Sequence, residues 1–270
     1  MEFQTLKVSV SNHIAHIELN RPDKANAMDM VMWREIGKAF DWADGEADVR
    51  VVVLSGNGKH FTAGIDLMAL MGVKEMVKDE CEGRSREKLR RVILQMQSDL
   101  TALERCRKPV LAAIHNGCIG GGVDLVCCAD MRYASADAYF CIKEIDIGMV
   151  ADVGTLQRLP KLIGEGLARE LAYTGRKLDA EEARQIGYVN RVFADRDALL
   201  AGVMEIAAEI ASKSPLSIRG TKEMINYTRD HSVADSLNFI ATWNAGMLLS
   251  NDIQAAIMAS MAKQKAEFKN

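Results

Sequence analysis

The sequence predicts an α/β fold, with a largely parallel sheet built from βαβ units over residues 1–195 and a helical region over 196–270. Two observations predict it. Short strand-like runs alternate with helical segments up to about residue 153, and beyond that point nearly every segment has helical spacing. The apolar fraction of 49% in 270 residues is enough for a large buried core.

The elements follow in order. LKVSVS and HIAHIELN read as two strands joined through Asn12, a hairpin. Residues 29–43 carry Met32, Trp33, Ile36 and Phe40 on one helical face. VVVLSG (51–56) is a strand, followed by a loop with Gly56 and Gly58 and by FTAGIDL (61–67). Residues 72–107 are charge-rich and helical in their second part, where Leu89, Ile93, Met96, Leu100 and Leu103 form a stripe; residues 70–88 are expected to be a loop. PVLAAIHNG (109–117) reads as a buried strand, bounded by a Pro and a Gly. A glycine-rich turn leads into the apolar helix GGVDLVCCAD, and MRYAS and AYFCI are further strands. Helices are then expected at 163–174, 179–186, 196–212, 217–228, 232–248 and 251–265, interrupted by a strand YVNRVF (188–193).

The bulk numbers exclude several classes. A formal net charge of −3 gives no global attraction to nucleic acid or to an acidic membrane. No apolar run approaches the roughly 20 residues that span a bilayer. The five histidines lack metal-ligand spacing, and no cysteine sits in a CxxC pair, so the six cysteines read as free thiols, mostly buried, in a reducing compartment. The start MEFQTLKVSV resembles no signal or transit peptide, and the end KAEFKN is not a peroxisomal Ser-Lys-Leu address; a cytoplasmic protein is expected.

Three features could carry chemistry. Gly120, Gly121 and Gly122 lie between a strand and the helix bearing Asp124; glycines allow close approach, and free N–H groups at a helix start favour negative charge. A tight turn with no ligand also fits them. FTAGIDL offers a second backbone N–H beside the first, and two such donors make an oxyanion hole. A loop in which Asp66 caps the next helix is the alternative. Finally, Asp124 sits in an apolar helix, and Glu144 and Asp152 flank an apolar loop. Asp152 could instead cap a helix from about 153, and Glu144 could pair with Lys143 or Arg132. Crowded in an apolar site, three carboxyls have shifted pKa values suited to acid–base work.

NRPDKANAMD (20–29), FTAGIDL, NGCIGGGVDL (116–125) and ADVGTLQRLPKLIG (151–164) together resemble the signature segments of the crotonase (enoyl-CoA hydratase/isomerase) superfamily. Within it, Asp124, Glu144 and Asp152 at that spacing, and TRDHSVADSLNF (228–239), are similar to the Δ3,5-Δ2,4-dienoyl-CoA isomerase branch. The resemblance implies a crotonase-type spiral of ββα units with a helical C-terminal trimerisation region, and homotrimers or homohexamers. It implies conversion of 3,5-dienoyl-CoA to 2,4-dienoyl-CoA in fatty acid β-oxidation, with no cofactor beyond the coenzyme A of the substrate. Asp152, Glu144 and Asp124 would be catalytic, and the N–H groups of Ile65 and Gly121 the oxyanion hole. Lys24, Ala25, Ala63, Gly64, Asp66 and Leu67 would line the CoA moiety. An enoyl-CoA hydratase is the alternative, although that pattern has Glu at position 124 and leaves Asp152 without a role. RNA binding fits poorly, because helix 29–44 sets Arg34 and Lys38 against Asp29, Glu35, Asp41 and Asp44. A non-catalytic binding protein is the remaining reading.

Overall fold

The computed structural model describes residues 2–270. Among them are nine strands: β1 (Leu6–Ser11), β2 (Ile14–Leu19), β3 (Val51–Gly56), β4 (Val110–Ile114), β5 (Gly117–Ile119), β6 (Met131–Ser135), β7 (Tyr139–Cys141), β8 (Leu178–Asp179) and β9 (Arg191–Phe193). The helices of the first half are α1 (Met30–Gly45), α2 (Leu67–Met76), α3 (Glu82–Arg105) and α4 (Gly121–Cys127). Those of the second half are α5 (Thr155–Ile163), α6 (Glu165–Thr174), α7 (Ala180–Gln185), α8 (Arg196–Ala211), α9 (Pro215–Thr228), α10 (Val233–Met247) and α11 (Asn251–Met261).

Six strands form one sheet in the order β1-β2-β3-β4-β6-β9, and three form a second, β5-β7-β8. β1 and β2 are an antiparallel hairpin whose turn residues Asn12 and His13 take φ of 50° and 66°, the left-handed pair that a two-residue turn requires. From β2 to β9 the large sheet is parallel. Both its faces are covered, and β3 and β4 are accordingly buried along their whole length. Val52, Leu54, Ala112 and Ile114 belong to the main core with α1 and α3. Val51, Val53, Leu111 and Ala113 face the other way, onto Leu199, Val203 and Ala207 of α8.

α1 starts where Asp29 accepts hydrogen bonds from the N–H groups of Val31 (3.1 Å) and Met32 (2.9 Å). It buries Met32, Trp33, Ile36, Ala39, Phe40 and Ala43. α8, at the head of the region expected to be helical from 196, covers a face of the large sheet. Lys222 of α9 is buried, donating to Asp130 (2.7 Å) and to the carbonyl oxygens of Leu103 and Lys108. α10 and α11 bury no residue.

Several local expectations change. The single strand at 109–117 is two, because Asn116 at φ 48° turns the chain from β4 in the large sheet to β5 in the small one. The expected loop at 70–88 is mostly helix: α2 runs to Met76 and α3 starts at Glu82, capped by neither glycine nor proline signals. The strand at 188–193 shortens to β9, preceded by the buried Tyr188 and Val189. The last helix ends at Met261 rather than at 265. Five cysteines are buried, and Cys81 is exposed between α2 and α3.

Candidate active site

The glycine-rich turn and the 62–66 segment are held against each other by backbone bonds. Thr62 and Cys118 form an isolated parallel bridge, as do Met28 and Ile65. The N–H groups of Met28 and Ala63 donate to Gly64 O (2.7 Å) and Ala25 O (2.9 Å). Gly64, at φ +87°, packs so tightly that a Cβ there would lie 2.5 Å from Ile119 O and 3.4 Å from Gly121 N. Ile65 and Gly121 are therefore neighbours across this junction, and neither N–H donates to another protein group among the described residues. Both line one cavity of about 430 Å³.

All three acids line that cavity too. α4 carries Asp124, fully buried, inward from the glycine turn. One oxygen of Asp124 accepts the N–H of Thr155 (2.6 Å), and the other has no partner. Burial pushes its pKa up to about 7, with the charge of Glu144 adding to the effect. Glu144 begins the 3-10 turn after β7, and its carboxyl lies beside Gly120, 3.2 Å from where a Cβ would stand. One of its oxygens is buried without a partner; burial raises its pKa, and the charge of Asp152 raises it further. Asp152 is half-buried, and burial raises its pKa as well. Another buried acid, Glu35, shows how such a group is normally satisfied: it accepts from the backbone N–H groups of Gln4 and Thr5 (2.8 Å each) and from the Thr5 hydroxyl (2.6 Å).

The structural alternatives for two of the acids are absent. The cap of α5 is Gly154, not Asp152. Lys143 pairs with Asp146, and Arg132 donates to the carbonyl oxygens of Tyr188, Val126 and Ala129, so Glu144 pairs with neither. Asp66 does cap α2, accepting from Met68 N (3.0 Å), and it also meets Arg21 at 3.2 Å. Its carboxylate is thus committed to the protein. Ala63 and Leu67 line the cavity. Lys24 and Ala25 do not; Lys24 is exposed, and the half-buried Ala25 accepts the N–H of Ala63.

Apart from Lys143, the rest of the wall is apolar, including Leu70 and Val73 of α2, Leu89, Val92, Ile93 and Met96 of α3, Met149 and Trp33. Sequence reasoning assigned the α3 and Trp33 residues to core stripes and missed their second role. The unpartnered, buried indole Nε1 of Trp33 marks its place in the site, but no sequence pattern reveals it. Gln97 was also missed; its amide donates to Asp152 O at 2.6 Å and fixes the 152–154 loop. Among the described residues no group of three His, Cys, Asp or Glu side chains is placed to hold a metal ion, and no helix is long and apolar enough to cross a membrane.

Residues 9–270 match the family model for enoyl-CoA hydratase/isomerase. The chain is 49% identical over 260 residues to the mitochondrial Δ(3,5)-Δ(2,4)-dienoyl-CoA isomerase of Homo sapiens, covering 96% of this chain and 79% of that protein. It is 45% identical to the peroxisomal enzyme of that name from Arabidopsis thaliana, covering 98% and 97%. Its fold superposes on an enoyl-CoA hydratase from Bacillus anthracis with a TM-score of 0.89 at 30% identity, covering 98% of this chain and 99% of the other. The fold is of the crotonase type. The organelle names of the two isomerases overturn the expectation of a cytoplasmic protein, which rested on the look of the chain ends alone.

Proposed function

This chain belongs to the enoyl-CoA hydratase/isomerase family, and from that premise we propose that it isomerises 3,5-dienoyl-CoA to 2,4-dienoyl-CoA. One observation carries the reading: two free backbone N–H groups and three carboxyls with upward-shifted pKa values line a single apolar cavity. A C2 proton of a 3,5-dienoyl thioester lies between the carbonyl and the diene. Its removal spreads negative charge from the thioester oxygen to C6. The N–H groups of Ile65 and Gly121 receive that oxygen; removing one such donor costs roughly 3–4 kcal/mol in other enzymes.

Asp152, the most accessible of the three, takes the C2 proton as a carboxylate. Glu144, one of whose oxygens is sealed and whose burial favours the protonated form, gives a proton to C6. Asp124 sets the field around both and holds the 152–155 segment through Thr155 N. A hydratase would leave Asp152 idle. The CoA moiety lies along Lys24, Ala25 and Ala63–Leu67, with Gly64 and Asp66 shaping the backbone there rather than touching the acyl chain. No cofactor is needed for this chemistry, and the reaction serves fatty acid β-oxidation. The exposed apolar residues of α10, of α11 and of the turn between them, including Leu237, Met258 and Leu249, are the contact surface of a homotrimer or homohexamer.

An ultraviolet assay with 3,5-dienoyl-CoA and 2-enoyl-CoA side by side tests the activity. Conjugation to the thioester should appear with the first and persist with the second. Asp152→Asn and Glu144→Gln should each lower isomerisation by about 10²–10⁴-fold. Near-native rates in both would end the assignment.

A further inference from the structure

Asp152 stands in the wall between two cavities. On one side is the apolar pocket already described. On the other is a polar cavity of about 510 Å³, lined by Gln97, Thr101, Glu104, Gln157, Arg158 and Lys161 among others. The two cavities share Asp152 and Val153, and Val153 is an apolar, buried side chain. Asp152 is therefore the polar group common to both.

The cations of the second cavity are already matched. Arg158 and Arg229 share Glu104, Lys161 meets Asp230 at 2.6 Å, and the buried Arg132 donates to the carbonyl oxygens of Tyr188, Val126 and Ala129. Arg158 also donates to Thr101 Oγ1 at 3.3 Å. A neutralised, polar space of this size suits water rather than an anion. The carboxyl oxygens of Asp152 accept no hydrogen bond from another residue and are not sealed, whereas one oxygen each of Asp124 and Glu144 is sealed and unpartnered.

An acyl chain filling the apolar pocket cuts Glu144 and Asp124 off from solvent. Asp152 lines the polar cavity as well, and so keeps that space beside it. We propose that this cavity is a proton exit, through which Asp152 exchanges protons with water while the dienolate is still bound. This rests on the isomerase reading. The C2–H bond breaks, its electron pair enters the dienolate, and the proton forms an O–H bond on Asp152. That proton passes to a cavity water and a solvent proton replaces it. Glu144 gives its proton to C6; once the product has gone, Asp152 releases its proton to water and the Glu144 carboxylate takes one up, which restores the starting state.

The Glu144→Gln protein isolates the step, since it cannot deliver to C6. Incubated with 3,5-dienoyl-CoA in D2O, it should lose isomerisation yet place deuterium at C2 of the recovered substrate, beyond exchange without protein. A bound dienolate cannot leave unprotonated, so this label reports exchange at Asp152 in the occupied site. Adding Thr101→Leu, which fills the polar cavity with apolar atoms, should cut that exchange several-fold. Should this variant fail to fold by circular dichroism, Gln157→Trp at the exposed rim closes the same cavity. An absence of C2 deuterium in Glu144→Gln, or exchange undiminished in the filled variant, overturns the exit while native isomerisation stands. A native protein that gives no ultraviolet change on 3,5-dienoyl-CoA overturns the isomerase reading instead.

Discussion

Helices α1 and α10 are almost equal in length, 16 and 15 residues, and both carry apolar residues at helical spacing. α1 buries eight of its residues, and α10 buries none. The difference lies in the partner. α1 packs on α3 and on the parallel sheet, in the same core that forms one wall of the acyl pocket. α10 has only α9 and α11 beside it, with a groove of about 580 Å³ between them. The chemistry, from Ala63 to Val153, sits wholly in the first kind of structure. The tail from α10 onward leaves its apolar residues exposed. On the function proposed above, fold and catalysis belong to the core, and assembly to the tail.

The largest test of that division is Phe40→Ala in α1. Phe40 is fully buried, and truncation should cost about 3–5 kcal/mol in urea unfolding. A cost below about 1 kcal/mol would mean that α1 is no more integral than α10. A smaller effect is expected from Asp124→Asn, and it depends on pH. A carboxyl whose pKa is raised from 3.8 to about 7 on folding favours the folded state at low pH, and that advantage declines as pH rises across this window. Since Asn does not titrate, the melting temperature of the variant relative to the native protein should climb between about pH 4 and pH 7 and then level off. A flat difference would show that the core does not hold Asp124 as described. The smallest effect on the fold should come from Leu249→Glu, at a position 89% exposed. Unfolding of the dissociated chain should change by no more than about 0.5 kcal/mol, while light scattering shows loss of the oligomer. An unchanged mass would break the assignment of the tail to assembly.

The sequence made much of this readable. β1, β2, β3, α1 and the stripe of α3 follow directly from periodicity, and Asp124 announced itself as a charge in an apolar helix. Of the second sheet only β7 was legible, within AYFCI; β8 is two residues long and has no period to read, and β5 continues the apolar run of β4. α2 was hidden as well: Leu67–Met76 is capped by Asp66, yet its Met68, Met71 and Met76 are exposed, so no one-sided stripe appears. Gln97 could not be found at all, since a polar residue on a charged helix gives no sign that it reaches a carbonyl 55 positions away.

One plain feature of the core has a practical meaning. Burial raises the pKa of Cys106, Cys118, Cys127, Cys128 and Cys141 and keeps those thiols protonated and shielded. Cys81 is the exposed one, in the short connection between α2 and α3, both of which line the acyl pocket. It is a single chemical handle between two walls of the site. A dye coupled there, with no other cysteine removed, would turn substrate entry into an optical signal.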